Sequence, residues 1–138
     1  AGGKPLPLCE ERVRATLHRA IIPRRNDPGG FPAWIGLIGS PGKVEASVYL
    51  SMDLPWCSQS PILAEVWNYV FPEYRKSANA KSLIAFSKIM AGVLKIPLVM
   101  GVLSSDRVMA KCRLYERQLG APIGALFVYN YDAPIGTA

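Results

Sequence analysis

Residues 65–80 read Glu65-Val66-Trp67-Asn68-Tyr69-Val70-Phe71-Pro72-Glu73-Tyr74-Arg75-Lys76-Ser77-Ala78-Asn79-Ala80. Ile62 to Val70 is rich in β-branched and aromatic residues and stops at Pro72, which predicts a strand. From Asn79 to Leu94 the apolar residues Leu83, Phe86, Met90 and Val93 advance by three and four, with Lys81, Ser82 and Lys88 off that stripe, which predicts an amphipathic helix. Between them lies a tight basic turn. Small residues at 77, 78 and 80 permit close backbone approach, and the first amides of the helix are unpaired donors at the positive end of its dipole. Arg75 and Lys76 add charge-assisted contacts. The stretch therefore reads either as a pyrophosphate cradle (Arg75, Lys76, Ser77, Ala78, Asn79, Ala80) or as a plain strand-to-helix turn.

Downstream, Ile96 to Leu103 is a short apolar run bounded by Lys95 and by Ser104-Ser105-Asp106, as expected of a central strand buried on both faces. A helix capped by Ser105 or Asp106 follows, with Val108, Cys112, Tyr115 and Leu119 on one face and Gly120 as terminator. Ile123 to Tyr129 reads as a last strand. Upstream, Ala33–Ile38 and Val44–Met52 flank Gly39-Ser40-Pro41-Gly42, the turn of an antiparallel hairpin. Before it, Val13, Leu17, Ala20 and Ile21 recur at helical spacing between Cys9 and Ile21, and Asn26-Asp27-Pro28-Gly29-Gly30 makes a loop. The order helix, three strands, helix, strand, helix, strand predicts an α/β fold with a mixed sheet.

The bulk properties narrow the function. A chain of 138 residues, 50% of them hydrophobic, suits one domain over 1–138, with flexible termini at 1–8 and 131–138. No uncharged apolar run of about 18 residues occurs and Ala1-Gly2-Gly3-Lys4 carries no signal-peptide pattern, so a soluble, cytoplasmic protein without membrane association is expected. Cys9, Cys57 and Cys112 are widely spaced and odd in number, which argues for reduced, mostly buried thiols rather than disulfides or zinc. His18 is the single histidine, on or near the polar side of the first helix, so neither a metal centre nor a histidine-based nucleophile is expected. The net charge of +6 attracts polyanions or phosphate without marking a dedicated nucleic-acid binder.

Val70-x-Pro72-x-Tyr74-Arg75 resembles the end of the fourth strand and the start of the coenzyme-binding loop of the GNAT acetyltransferases, whose pattern is V-x-P-x-Y-R-x-x-G-x-G/A. Ala78 and Ala80 stand where the two glycines usually stand. The second is a familiar variant; the first is a departure, and a methyl at residue 78 would crowd a pyrophosphate if the loop needs φ > 0 there. Leu114-Tyr115-Glu116-Arg117-Gln118-Leu119-Gly120 is similar to the L-Y-E-K-L-G segment that closes the family's last helix, with Gln118 as an extra residue. The resemblance spans about residues 9 to 130 in element order, and overall the chain is similar to short GNAT-like proteins of phage and prophage genomes.

What that resemblance implies is the GNAT acyl-CoA N-acyltransferase fold, a mixed, mostly antiparallel sheet flanked by helices, with acetyl-coenzyme A as cosubstrate and no metal. It implies Tyr115 as the general acid that protonates the leaving thiolate, although Tyr115 also fits the apolar stripe of its helix as a core residue. Glu65 would be the general base, raised in pKa by an apolar strand, or else a solvated edge residue. Asn68 and Tyr69 would flank the substrate cleft, and the backbone amides of Val70 and Phe71 would hold the acetyl carbonyl and the pantetheine. Two features depart from the family plan: one helix precedes the hairpin where two are usual, with no first strand visible in Lys4-Pro5-Leu6-Pro7-Leu8, and Ser104-Ser105-Asp106 replaces the Asn that commonly follows the fifth strand.

The first reading is thus an N-acetyltransferase that acts by direct transfer to a primary amine on a small molecule or protein. The second is a non-catalytic binding or accessory module of the same fold, with nucleic acid as one class of partner. A third is self-association, a homodimer anchored by Trp34, Trp56 or Trp67, each of which also fits a core role.

Overall fold

The computed structural model describes residues 9–21, 32–103 and 107–129. The loop at 26–31, the caps Ser105 and Asp106, and the terminal segments discussed above lie outside them. The described residues fall into two compact units, one within Leu8–Gly101 and one within Val102–Ala138.

The first unit holds helix α1 (Glu10–Ile21), strands β1 (Ala33–Ser40), β2 (Lys43–Asp53) and β3 (Ile62–Val70), helix α2 (Asn79–Leu94) and strand β4 (Leu98–Val99). The sheet order is β1-β2-β3-β4; the first three strands are antiparallel and β4 runs parallel to β3. Ser40 pairs with Lys43 around Pro41-Gly42, and Gly42 takes φ 79°, the positive value that a type II turn requires after proline. Two bulges re-aim the strands. Ile38 opposes Ala46 while Gly39 opposes Val44, which makes Glu45 the extra residue of β2. Tyr49 opposes Trp67 while Leu50 opposes Glu65, which makes Val66 the extra residue of β3.

The core forms where α2 covers one sheet face. Ala46, Val48, Leu50, Leu63, Leu83 and Ala91 are buried there, with Trp34, Ile38, Val70 and Phe86 packed around them. Close approach of helix and sheet depends on small groups. A Cβ on Gly36 would lie 2.8 Å from Phe86 Cε1 and 2.9 Å from Val48 Cγ1. Of the expected stripe on α2, Leu83 is buried and Phe86 and Met90 pack against the core, but Val93 is 71% exposed, and Ile84, Ser87 and Ala91 complete the buried face. Ser87 and Ala91 let the helix settle close to the strands, and the Ser87 hydroxyl donates to the Leu83 carbonyl at 2.8 Å, so burial leaves it satisfied.

The strand expected over Ile96–Leu103 shrinks to Leu98–Val99 and lies at the end of the sheet order rather than centrally. Only Leu63–Leu98 and Ala64–Val99 pair; beyond them the Gly101 amide donates to the Glu65 side chain instead of to a backbone carbonyl. In the second unit, α3 (Val108–Leu119) forms, but with Arg107 (φ 52°) rather than Ser105 or Asp106 at its N-cap and no side-chain capping bond; it ends, as expected, at Gly120, with φ 102° and its amide donating to the Glu116 carbonyl. The expected strand at 123–129 is absent: these residues carry no regular secondary structure, and Ile123 and Phe127 are 97% and 91% exposed. Strands form by pairing rather than by propensity alone, and the described part of this unit contains no partner strand.

The cysteines are also more open than expected. Cys9 and Cys57 are exposed and Cys112 is half-buried, and all three are free thiols. Of the tryptophans, Trp34 packs against the core, Trp67 meets Tyr49 at a tilt with ring centroids 4.7 Å apart and donates to the Ser47 hydroxyl, and Trp56 is 98% exposed. Among the described residues no helix is long and apolar enough to cross a membrane.

Candidate functional site

β3 has one closed side and one open side. Against β2 it pairs from Ile62 opposite Asp53 to Val70 opposite Ala46, apart from Val66; on the β4 side, among the described residues, pairing stops at Ala64. Six residues, Glu65–Val70, thus continue past the last β4 pair. Backbone direction alternates along a strand. Because the Phe71 amide donates to the Glu45 carbonyl at 2.9 Å, toward β2, the Val70 and Asn68 peptide groups point to the open side. Of the two amides expected to meet an acyl group, then, Phe71's is committed within the fold and Val70's faces the opening.

The strand runs straight into the turn. A single 3-10 turn, Pro72–Tyr74, is closed by the Tyr74 amide on the Phe71 carbonyl at 2.9 Å and leads through Arg75–Ala78 to α2. Arg75 Nε donates to the Val70 carbonyl at 3.2 Å, and its guanidinium carbon lies 5.8 Å from the Tyr69 ring centroid. One of its five donors is used for anchoring, and the side chain is otherwise exposed. The Ser77 hydroxyl bonds the Tyr74 carbonyl and accepts from the Asn79 amide at 3.2 Å. The first helical bond is the Ser82 amide to the Ala78 carbonyl, at 3.0 Å, so the amides of Ala80 and Lys81 are the orphan donors of the helix end.

Ala78 takes φ −83° and ψ 11°. That is a conformation open to any residue, so the first-glycine position of this turn needs no left-handed backbone, and the alanine fits without strain. Glu45 was not legible as a site residue. Its bulged backbone receives the Phe71 amide, and its carboxylate accepts from Asn79 Nδ2 at 3.4 Å, which ties the turn to β2. Nothing in the run Val44–Met52 marks that bulge. Lys81 places one more cation in the first turn of α2.

The register sorts the other expected site residues. Glu65 opposes Leu50 and Asn68 opposes Val48, so both stand on the face that α2 covers, although three residues separate them; the bulge at Val66 causes this. Tyr69, opposite Ser47, stands on the other face, where it meets Phe71 edge-on at 5.3 Å. Asn68 and Tyr69 therefore serve different faces of the sheet. Glu65 is half-buried and accepts the Gly101 amide at 3.4 Å, where β4 leaves β3. Asn68 Nδ2 is a buried atom without a hydrogen-bond partner. Tyr115 lies half-buried on α3, in the other compact unit. His18 is exposed, and no cluster of three metal-ligating side chains occurs among the described residues.

No family model matches the chain, and no curated protein sequence does. Solved structures do. Aminoglycoside 6'-N-acetyltransferase AAC(6')-IG from Acinetobacter haemolyticus is similar with TM-score 0.62 at 19% identity, over 91% of this chain and 82% of that one. AAC(6')-Iy, in complex with the bisubstrate analogue CoA-S-monomethyl-acetylneamine, gives 0.63 at 14% identity over 88% and 79%. An acetyltransferase from Trypanosoma brucei gives 0.58 at 13% identity over 90% and 81%. At such identities the likeness is one of architecture. Together with a mixed sheet whose parallel strand pair parts after two residues, it shows that this chain has the fold of the GNAT acetyltransferases.

Proposed function

We propose that the protein is an N-acetyltransferase that moves an acetyl group from acetyl-coenzyme A to a primary amine by direct attack. The observation that carries this reading is the open edge of β3 running into the turn at 72–78, within a fold shared with enzymes crystallised with coenzyme A conjugates. The turn fits a pyrophosphate: Ala78 needs no special backbone, the Ala80 and Lys81 amides lack helical partners, and Arg75 and Lys76 are exposed beside them. Ser77 and Asn79 hold that turn in shape. The Val70 amide, aimed at the open side, is the donor for an acyl oxygen.

Acetyl-coenzyme A supplies the acetyl group as an activated thioester. Glu65, at the point where the strands part, would take the proton from the attacking amine, and the resemblance of Leu114–Gly120 supports Tyr115 as the donor to the leaving thiolate. Amine acceptors of the similar enzymes, aminoglycosides among them, support a small-molecule amine as the acceptor class. The second reading, a non-catalytic binding module, draws on one observation: the Glu65 carboxylate already accepts the Gly101 amide.

Calorimetric titration with acetyl-coenzyme A, with desulfo-coenzyme A as the control for thiol artefacts, tests the reading. Micromolar binding with amine-dependent thiol release supports it, and Tyr115→Phe then slows turnover without weakening binding. Binding without turnover on any amine favours the module. Salt-dependent retention on DNA with no coenzyme binding overturns the enzyme altogether.

A further inference from the structure

Asn68 sits in a row that is otherwise core. Gly36 opposes Val48 and Val48 opposes Asn68, and Phe86 closes over the first two. Its neighbour on the same face of β3 is Val70, which packs on the core. An apolar side chain would suit such a place. Instead, the row ends in an amide whose Nδ2 is buried with no acceptor, and a buried unsatisfied donor carries a desolvation cost that nothing in the fold repays. Ser87 is the contrast, buried on the same interface but satisfied by its own helix at 2.8 Å. Asn68 belongs to the stretch of β3 that has lost its β4 neighbour, two residues before Val70, whose amide also faces the opening. An orphan donor in that place calls for an acceptor that arrives from outside.

We infer that Asn68 is a ligand-contacting residue for the acyl donor: its Nδ2 donates to the carbonyl oxygen of an acyl thioester lying along the open edge of β3. This rests on the acetyltransferase reading above. The chemistry of the donor decides between the two substrates. A carbonyl oxygen accepts hydrogen bonds; an ammonium has only donors to offer, and the lone pair of the neutral amine is the pair that must attack. Asn68 thus recognises the acyl side of the reaction and not the amine. Free coenzyme A has no acyl carbonyl, so the contact should appear as a preference for the acylated over the free coenzyme.

The test is titration of wild type, Asn68→Leu and Asn68→Ala with acetyl-coenzyme A and with free coenzyme A, alongside thermal unfolding of each. Leu matches Asn in shape and removes the orphan donor, so its Tm is expected to hold or rise while its preference for the acetylated form falls by about tenfold. Asn68→Ala should lose the same preference, which separates the contact from any packing effect of the larger side chain. If wild type binds the acetylated form and both variants keep its full preference, or lose affinity for both ligands equally, this role for Asn68 is overturned while the acetyltransferase reading stands. If wild type binds neither ligand, the acetyltransferase reading fails and this inference with it.

Discussion

The two sides of β3 make opposite use of one strand. Toward β2 every position from Ile62 to Val70 is matched, apart from the bulge residue Val66, and the residues across from it include Ala46, Val48 and Leu50, none of which is exposed. Toward β4 two pairs form and the strands then part. Paired backbone and buried side chains supply stability, whereas unpaired amides and an unsatisfied Asn68 are what a ligand can use. The closed side should therefore govern unfolding and the open side binding.

Three substitutions can break or sharpen that division. The largest effect belongs to the closed side: Leu50→Ala empties a fully buried position and is expected to lower unfolding free energy by about 2–5 kcal/mol in urea titration. A loss well under 1 kcal/mol would mean that the β2–β3 core does not carry the fold. On the open side, Arg75→Glu should weaken acetyl-coenzyme A about 10- to 100-fold by calorimetry, because it reverses charge at the turn. It is expected to move stability by no more than about 0.5 kcal/mol, since the side chain is exposed. An equal loss of stability would blur the two sides. The smallest effect is Ala78→Gly: with φ already −83° the family's usual glycine adds no needed freedom, and affinity should stay within about twofold. A large gain would show that the methyl, and not the backbone, limits the site.

Much of this was legible in the residues. The α2 boundaries expected from periodicity, Asn79 to Leu94, coincide with the observed helix, and β3 matches at Ile62 and Val70, because Pro72 and a long amphipathic stripe are local signals. The hairpin followed from Pro41-Gly42 for the same reason. Where expectation and structure part, the deciding interaction is remote. The buried face of α2 takes in Ser87 and Ala91 and leaves Val93 out, and no helical count contains that. Among the described residues, segment 123–129 has strand propensity without a strand to pair with, and Leu98–Val99 is all of β4 that finds β3.

The site divides in the same way. Arg75, Lys76 and the small residues of the turn were readable, since charge, size and a helix start are properties of consecutive residues. Glu45 was not, because it reaches Asn79 across a bulge 34 positions away. By itself the sequence determined the hairpin, β3, α2 and the basic turn between those last two, since these depend on neighbours along the chain. The tertiary structure alone decided that β3 and β4 part after two pairs, that Val66 bulges so that Glu65 and Asn68 share a face while Tyr69 takes the other, and that Asn68 Nδ2 is left without an acceptor. Register is set by pairing between distant strands, and a shift of one residue moves every side chain beyond it to the opposite face.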